Sequence, residues 1–208
     1  SVVIHESVAP EFLSPVTSLL RQKVQLLLGG DNPYLLYVGV WMSHKNLVRL
    51  FQAFEIVRSR YPEMQLVITG KPVPGYSNLI QYVQEHRLEK SVLFPGFVPQ
   101  HLLSALYAHA SALVFPSLYE GFGLPPLEAA ACGTPTVASN VSSIPELIGD
   151  AAQYVNPESV EDIAQGIIAV LEDPLYAGKL VAKGLVQSRR YSWEDAAAGH
   201  RSVYENAL

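Results

Sequence analysis

The sequence contains a single cysteine, Cys132, and its longest apolar runs fall far short of the roughly 18 residues that a membrane-spanning helix needs. A disulfide within the chain and a cysteine-rich metal site are therefore both excluded. Basic residues are few as well, since 14 Lys and Arg stand against 19 Asp and Glu for a net charge of −5 at pH 7. They are scattered along the chain, so we expect no nucleic-acid partner.

Several motifs of phosphate and acyl chemistry are missing too. No Asp-x-Asp pair is present, so a metal-bridged diphosphate is not indicated, and we expect neither a metal site nor a cofactor. The segment 121–126 departs from G-x-G-x-x-G at its last position, and no P-loop or G-x-S-x-G motif occurs. The first residues carry no secretory pattern and the chain starts with Ser rather than Met, so we expect a cytoplasmic piece of a longer protein.

What the sequence does contain is an alternation of strand-like and helix-like segments, with a hydrophobic content of 49%. Short, nearly continuous apolar segments predict buried strands, and apolar residues at helical spacing predict the helices between them. This order is typical of an α/β fold in which helices cover both faces of a parallel sheet. The predicted strands are 34–39, 65–69, 91–94, 112–115, 135–138 and 153–155, and the predicted helices are 19–28, 47–57, 77–88, 101–109, 126–131, 144–148, 160–171, 176–190 and 193–207.

Ligands of such folds bind at the carboxyl ends of the strands, which here are followed by loops after Val38, Thr69, Phe94 and Phe115. The first of these loops places Lys45 at the start of a helix. A cation there opposes the helix dipole, and a bound phosphate would reverse the sign of that interaction. A phosphate contact and a solvated surface lysine both remain open for Lys45.

The turn after Phe115 is the most informative segment. Gly121 and Gly123 let the backbone approach a ligand, and a proline at 125 or 126 suits the first position of a short helix. Free amide groups are therefore expected near Gly123 and Leu124. Glu128 is predicted to lie in the first turn of that helix, where the dipole favours a carboxylate.

Two further residues keep alternative interpretations. Glu120 follows a buried strand directly before a glycine, so it is either a site residue or an ordinary loop carboxylate. The loop that contains Phe97 follows the third strand, and either holds a base through backbone contacts or forms a tight turn into the next helix.

Together these segments resemble the C-terminal half of the group 1 retaining glycosyltransferases. The resemblance runs from about residue 34 to residue 205, and Ser192-Trp193 before the last helix is typical of it. It implies the GT-B architecture, in which this chain is one Rossmann-like half. It also implies a linker remnant at 1–33, a nucleotide-sugar-binding domain at 34–190 and a C-terminal helix at 191–208. The segments that carry the resemblance are 37–39, 45–46, 92–98, 115–125, 127–129, 131–135 and 138–140.

The resemblance also implies roles for single residues. Lys45 would contact the donor diphosphate, and Glu120 would hold hydroxyls of the transferred sugar. Many relatives carry an arginine where this chain has Val40, so a second cation on the diphosphate is in doubt, and His44 is a candidate substitute. The remaining donor-binding residues are Glu128 at the ribose, Phe97 beside the base, the amides of Gly123 and Leu124, and Phe122 and Gly39.

The function implied is transfer of a hexose, with mannose preferred, from a GDP- or UDP-linked donor to a glycan or lipid acceptor. No metal is implied. The partners expected are the nucleotide sugar and the missing N-terminal half, which would bind the acceptor and could contact the inner face of a membrane. We therefore expect this chain alone to bind the donor but to transfer little. Two alternatives stay open: a non-catalytic nucleotide-sugar-binding or interaction module of the same fold, and a nucleotide-sugar epimerase.

Overall fold

The computed structural model describes residues 2–73 and 78–206. Within these residues the chain forms one sheet of six parallel strands in the order β3-β2-β1-β4-β5-β6. Most strand residues are fully buried, which explains why the strands read as continuous apolar segments rather than alternating ones. The strands are β1 Tyr34–Tyr37, β2 Gln65–Thr69, β3 Val92–Gly96, β4 Ala112–Phe115, β5 Thr136–Ser139 and β6 Ala152–Val155.

The helices pack around this sheet, with α2 against α7 and α5 against α8. The predicted α/β class, with Rossmann-like parallel strands and added C-terminal helices, is thus confirmed. The helices are α1 Ser18–Leu28, α2 Leu47–Arg60, α3 Asn78–Glu85, α4 Gln100–His109, α5 Leu124–Ala131, α6 Ile144–Ile148, α7 Val160–Glu172, α8 Pro174–Ser188 and α9 Trp193–Glu205. Short 3-10 turns span Pro10–Leu13 and Ser43–Lys45.

The start of one helix differs from the sequence prediction because a side chain caps it. Helix α8 begins two residues earlier than predicted because the Asp173 carboxylate accepts hydrogen bonds from the amides of Leu175 and Tyr176. The start predicted for α3 lies outside the described residues. That helix ends earlier than predicted, before the left-handed residue Arg87.

Residues before β1 pack onto the same core. Val8 and Phe12 are buried, and α1 lies against α4 through Val24 and Leu28. The cap of α1 is well defined, because Thr17 accepts from the amide of Leu20.

The chain leaves β1 toward β2 on one side of the sheet and reaches β4 on the other side only after β3. The strand order therefore reverses between β1 and β4, and the loops that follow these two strands meet at the carboxyl edge. The neighbouring loop after β2 approaches closely, since a Cβ on Gly70, whose φ is +88°, would clash with the carbonyl oxygen of Gly39.

Candidate functional site

The candidate site lies at the carboxyl edge of the sheet, where the loops after β1 and β4 are joined directly. The amide of Leu118 donates to the carbonyl oxygen of His44 over 2.7 Å. Both loops follow strands that pair side by side, with Leu35 opposite Ala112 and Leu36 opposite Leu113. Residues that are remote in sequence are thus brought together by the reversal of strand order.

Asn46 fixes the geometry of the first loop. It has a left-handed backbone with φ of +62°, and its buried side-chain amide donates to the carbonyl oxygens of Pro116 at 3.0 Å and Pro157 at 2.6 Å. Three separate segments are therefore held by one amide group. The residue before it, Lys45, is positioned as a consequence.

Lys45 and Glu120 form the central ion pair of the site. The Lys45 Nζ atom lies 2.7 Å from Oε1 and 2.9 Å from Oε2 of Glu120, so the contact is bidentate. The side chains are only 16% and 10% exposed, and Nζ lies 5.6 Å from the centre of the Phe115 ring. The carboxylate also acts on Tyr37, whose phenol pKa is raised by burial and then by Glu120. Both residues proposed as catalytic from the sequence therefore meet in one place.

Two serines that the sequence reasoning missed hold the turn that carries Glu120. The Glu120 amide donates to Ser142 Oγ over 3.0 Å, and Ser143 Oγ donates to the carbonyl oxygens of Glu120 and Phe122 at 3.1 and 2.8 Å. Both serines follow β5. Their position after a predicted strand was the available signal, because the loop after β5 ends at the same edge of the sheet as the four loops considered.

Helix α5 offers a small set of free amides. Gly123, with φ of +105°, precedes its first residue, Leu124, and the next two positions are the prolines at 125 and 126. Because proline has no N–H, Gly123 and Leu124 are the amides that this helix start presents. In the described part of the chain neither of them donates to another protein group. Two adjacent donors are thus available to an anion, as the sequence predicted.

Glu128 lies in a different environment from Glu120. The helix begins at Leu124 rather than at a proline, so the predicted placement of Glu128 in the first turn is wrong and the helix dipole does not account for it. Its Oε2 accepts a hydrogen bond of 2.7 Å from the hydroxyl of Tyr107, a buried residue of α4 that the sequence did not single out. Burial raises the pKa of the Glu128 carboxyl, and the Tyr107 hydrogen bond partly offsets that effect.

The remaining predicted residues are spread along the carboxyl edge. Phe97 follows β3, two strands away from β1, and its side chain is 74% exposed. Phe122 is half-buried and packs against the rings of His5 and Tyr191, at centroid distances of 6.0 and 6.1 Å. His44 and Gly39 lie in the loop after β1. The donor-binding roles of all these residues stay predictions.

Within residues 2–73 and 78–206 no group of three or more His, Cys, Asp or Glu side chains is arranged to hold a metal ion. Over the same residues, no helix combines the length and the apolar character required to cross a bilayer.

Comparison with known proteins identifies relatives over nearly the whole chain. The sequence model of the family "Glycosyl transferases group 1" matches residues 20–186. O-antigen chain mannosyltransferase B of Escherichia coli is 38% identical over 197 residues, which are 92% of this chain and 50% of the relative. An MMP alpha-(1->4)-mannosyltransferase of Mycolicibacterium hassiacum is also 38% identical, over 99% of this chain and 48% of its own length. The chain thus spans about half the length of these curated relatives.

Solved structures give the same picture of the fold. Sucrose-phosphate synthase from Thermosynechococcus elongatus superposes with a TM-score of 0.83 at 28% identity, over 98% of this chain and 52% of that protein. The C-terminal domain of the group 1 family glycosyl transferase LpcC from Francisella tularensis superposes with a TM-score of 0.75 at 23% identity. That domain was crystallised alone, and 97% of it is covered, along with 88% of this chain. The likeness therefore extends to a comparable isolated domain.

Proposed function

Because the chain belongs to the glycosyl transferases group 1 family, we propose that it is the donor-binding half of a retaining mannosyltransferase. In this proposal it binds a GDP- or UDP-linked hexose, with mannose preferred, and a second half of the protein outside this chain binds a glycan or lipid acceptor. The observation that carries the proposal is the meeting of Lys45 and Glu120 at the reversal of strand order. The preference for mannose is supported by relatives that are named as mannosyltransferases.

Recognition of the diphosphate rests on positive groups at one edge of the sheet. The Lys45 ammonium lies at the loop after β1, and the amides of Gly123 and Leu124 begin α5 in the loop after β4. An anion gains from the cation and from helix amides that are already oriented, because these amides do not have to reorganise when the charge arrives. Lys45 and the two amides stabilise the negative charge of the diphosphate, which is the role that a metal ion has in metal-dependent enzymes. We therefore infer a reaction that needs no metal.

Recognition of the sugar requires an exchange of partners. Both oxygens of Glu120 accept hydrogen bonds from the Lys45 ammonium. A diphosphate competes for that ammonium, and its binding releases the carboxylate oxygens to accept hydrogen bonds from the hydroxyls of the hexose. Donor binding and sugar recognition are therefore coupled through one ion pair.

The same groups favour the chemical step. In the proposed reaction the bond from the sugar C1 to the diphosphate breaks, and an acceptor hydroxyl oxygen attacks C1 from the same face. The hydroxyl proton passes to the departing phosphate oxygen. Negative charge grows on that phosphate as the bond breaks, and Lys45 with the helix amides stabilises it most at that point.

Titration calorimetry with GDP-mannose and UDP-glucose tests donor binding by this chain. Lys45→Ala should weaken binding by about ten- to a hundredfold, because a charged hydrogen bond contributes about 1.5–3 kcal/mol. Lys90→Ala is the matched control, since Lys90 is exposed just before β3 at the opposite edge of the sheet. A folded sample that binds neither nucleotide sugar at millimolar concentration contradicts the proposal.

Transfer is tested with the full-length enzyme. Glu120→Gln keeps the shape of the side chain but removes its charge, and we expect kcat to fall by about a hundredfold through mispositioning of the sugar. Transfer that is unchanged in both Glu120→Gln and Lys45→Ala would indicate a non-catalytic module instead. The anomeric configuration of the product separates retention from inversion.

A further inference from the structure

A cavity lies beside the turn that carries Glu120, since Gly121 and Phe122 line it. It has a volume of about 310 Å³ and lies between residues 3–6 and the segment that begins α6. That volume is at the lower end of the range of about 300–1,000 Å³ that is typical of small-molecule sites. We call it the His5 cavity, and the residues that define it are His5, Glu6, Gly121, Phe122, Ser143 and Glu146.

The rings of His5 and Phe122 line the His5 cavity, and Tyr191 packs behind them. The His5 ring lies 6.0 Å from that of Phe122 and 5.5 Å from that of Tyr191, and the Phe122 and Tyr191 rings meet edge to face at 90°. Such packing fixes the ring of Phe122 beside the cavity. The faces of sugar rings carry C–H groups and pack well against surfaces of this kind.

Two carboxylates, those of Glu6 and Glu146, also line the cavity. His5 Nε2 lies 3.7 Å from Glu146 Oε1, and Glu146 remains 75% exposed, so its oxygens are accessible to a ligand. Glu6 is also exposed at the cavity. Among the described residues that line the cavity there is no lysine or arginine. A phosphate or nucleotide would therefore be repelled, whereas a neutral molecule with several hydroxyl groups can donate to both carboxylates.

The His5 cavity shares a wall with the donor site. Ser143 lines the cavity, and its hydroxyl donates to the carbonyl oxygens of Glu120 and Phe122. The side chain of Glu120 is turned to Lys45, while the adjacent Gly121 and Phe122 line the cavity. A molecule bound in the cavity thus contacts Gly121, the residue next to Glu120, whose carboxylate is proposed to bind hydroxyl groups of the transferred sugar.

We propose that the His5 cavity binds the acceptor as a neutral, hydroxyl-rich saccharide, with Glu146 and Glu6 accepting its hydroxyl groups and Phe122 packing on its ring. This inference rests on the proposed glycosyl-transfer function. It adds that acceptor recognition is shared by this half of the protein.

The test is a two-dimensional NMR titration of the chain with α-mannobiose and, separately, with GDP-mannose. The chain can be studied alone because its core is continuous and a comparable C-terminal domain has been crystallised by itself. We expect α-mannobiose to shift the resonances of Gly121, Phe122 and Ser143 at millimolar concentration. Glu146→Gln should weaken that binding by about tenfold and leave GDP-mannose binding unchanged.

Glu89→Gln is the control, because Glu89 is exposed near the start of β3 and far from the cavity. It should change neither titration. In the full-length enzyme, Glu146→Gln should raise the KM for the acceptor about tenfold and leave the KM for the donor as it is. A purely structural effect of the substitution would move both constants.

The outcomes separate the two proposals. If GDP-mannose binds but α-mannobiose causes no shifts, or shifts residues away from the cavity, the acceptor site is refuted and the donor function stands. If neither ligand binds to the folded chain, the donor function fails and the acceptor site fails with it.

Discussion

Replacement of Asn46 is the sharpest test of how the site is assembled. Its buried amide donates to the carbonyl oxygens of Pro116 and Pro157, and its backbone has a φ of +62°. Asn46→Gly keeps the backbone conformation and removes both of these hydrogen bonds, together with the one that Asn46 Oδ1 accepts from Arg49. A buried carbonyl that loses its donor costs about 1–3 kcal/mol, so this variant should lose about 2–6 kcal/mol of unfolding free energy.

Asn46→Ala adds a second effect at the same position. A residue with a Cβ pays about 1 kcal/mol more than glycine for a left-handed backbone, so alanine should be less stable than glycine by that amount. This order is the reverse of what helix propensity alone would predict. For a chain of this size each kcal/mol corresponds to about 2–4 °C in Tm.

Urea denaturation followed by circular dichroism measures these free energies. Asn32→Ala is the control, because Asn32 is exposed in the turn before β1, and we expect a change within about 0.5 kcal/mol. The reasoning is refuted if Asn46→Gly is as stable as the parent, since the two hydrogen bonds would then contribute nothing. An alanine variant at least as stable as the glycine variant would refute the conformational part alone.

Three further predictions follow from other positions. Gly70→Ala should cost about 4 kcal/mol or more because its Cβ meets the backbone of Gly39, whereas Gly29→Ala, left-handed but in open space, should cost about 1 kcal/mol in the same urea assay. Burial raises the pKa of the Glu128 carboxyl, so the free energy of unfolding is highest below the unfolded pKa of about 4.3, where this carboxyl is neutral, and falls as pH rises through the folded pKa. Glu128→Gln should therefore have a higher free energy of unfolding than the parent at pH 7 and the same one near pH 4. Burial raises the pKa of the Cys132 thiol to about 12, so a maleimide dye should label it at least about a hundredfold more slowly in the native protein than in urea.

The parts of the site that were predictable from the sequence are those that depend on strand ends. Lys45 and Glu120 each follow a buried strand, and the carboxyl ends of parallel strands share one edge of a sheet. Their pairing at 2.7 Å needed one more fact, namely which strands are neighbours. The sequence alternation alone does not give the strand order.

The parts that were missed depend on contacts between distant segments. Tyr107 reaches Glu128 from a different helix, and Asn46 bonds to carbonyl groups 70 and 111 residues away. A tyrosine within an amphipathic helix and an asparagine at a helix start both have ordinary local explanations. Nothing in the local pattern distinguishes them until the fold places their partners.

The error at α5 has a local cause. A proline was expected to open the helix, but Gly123 with its left-handed backbone lets the helix start at Leu124. Because the helix starts earlier than predicted, Glu128 lies beyond its first turn. The capping residue, rather than the proline, sets the first helical position here.

The two halves of the central ion pair are 75 residues apart, and β2 and β3 both lie between them in the chain. A polypeptide that has folded only as far as β3 has no binding pocket, because its lysine still lacks the β4 turn. Formation of the site therefore requires a long-range contact, whose loop-closure entropy opposes folding. A ligand that requires both loops stabilises only the native state, so we expect it to slow unfolding and to leave the early steps of collapse unchanged.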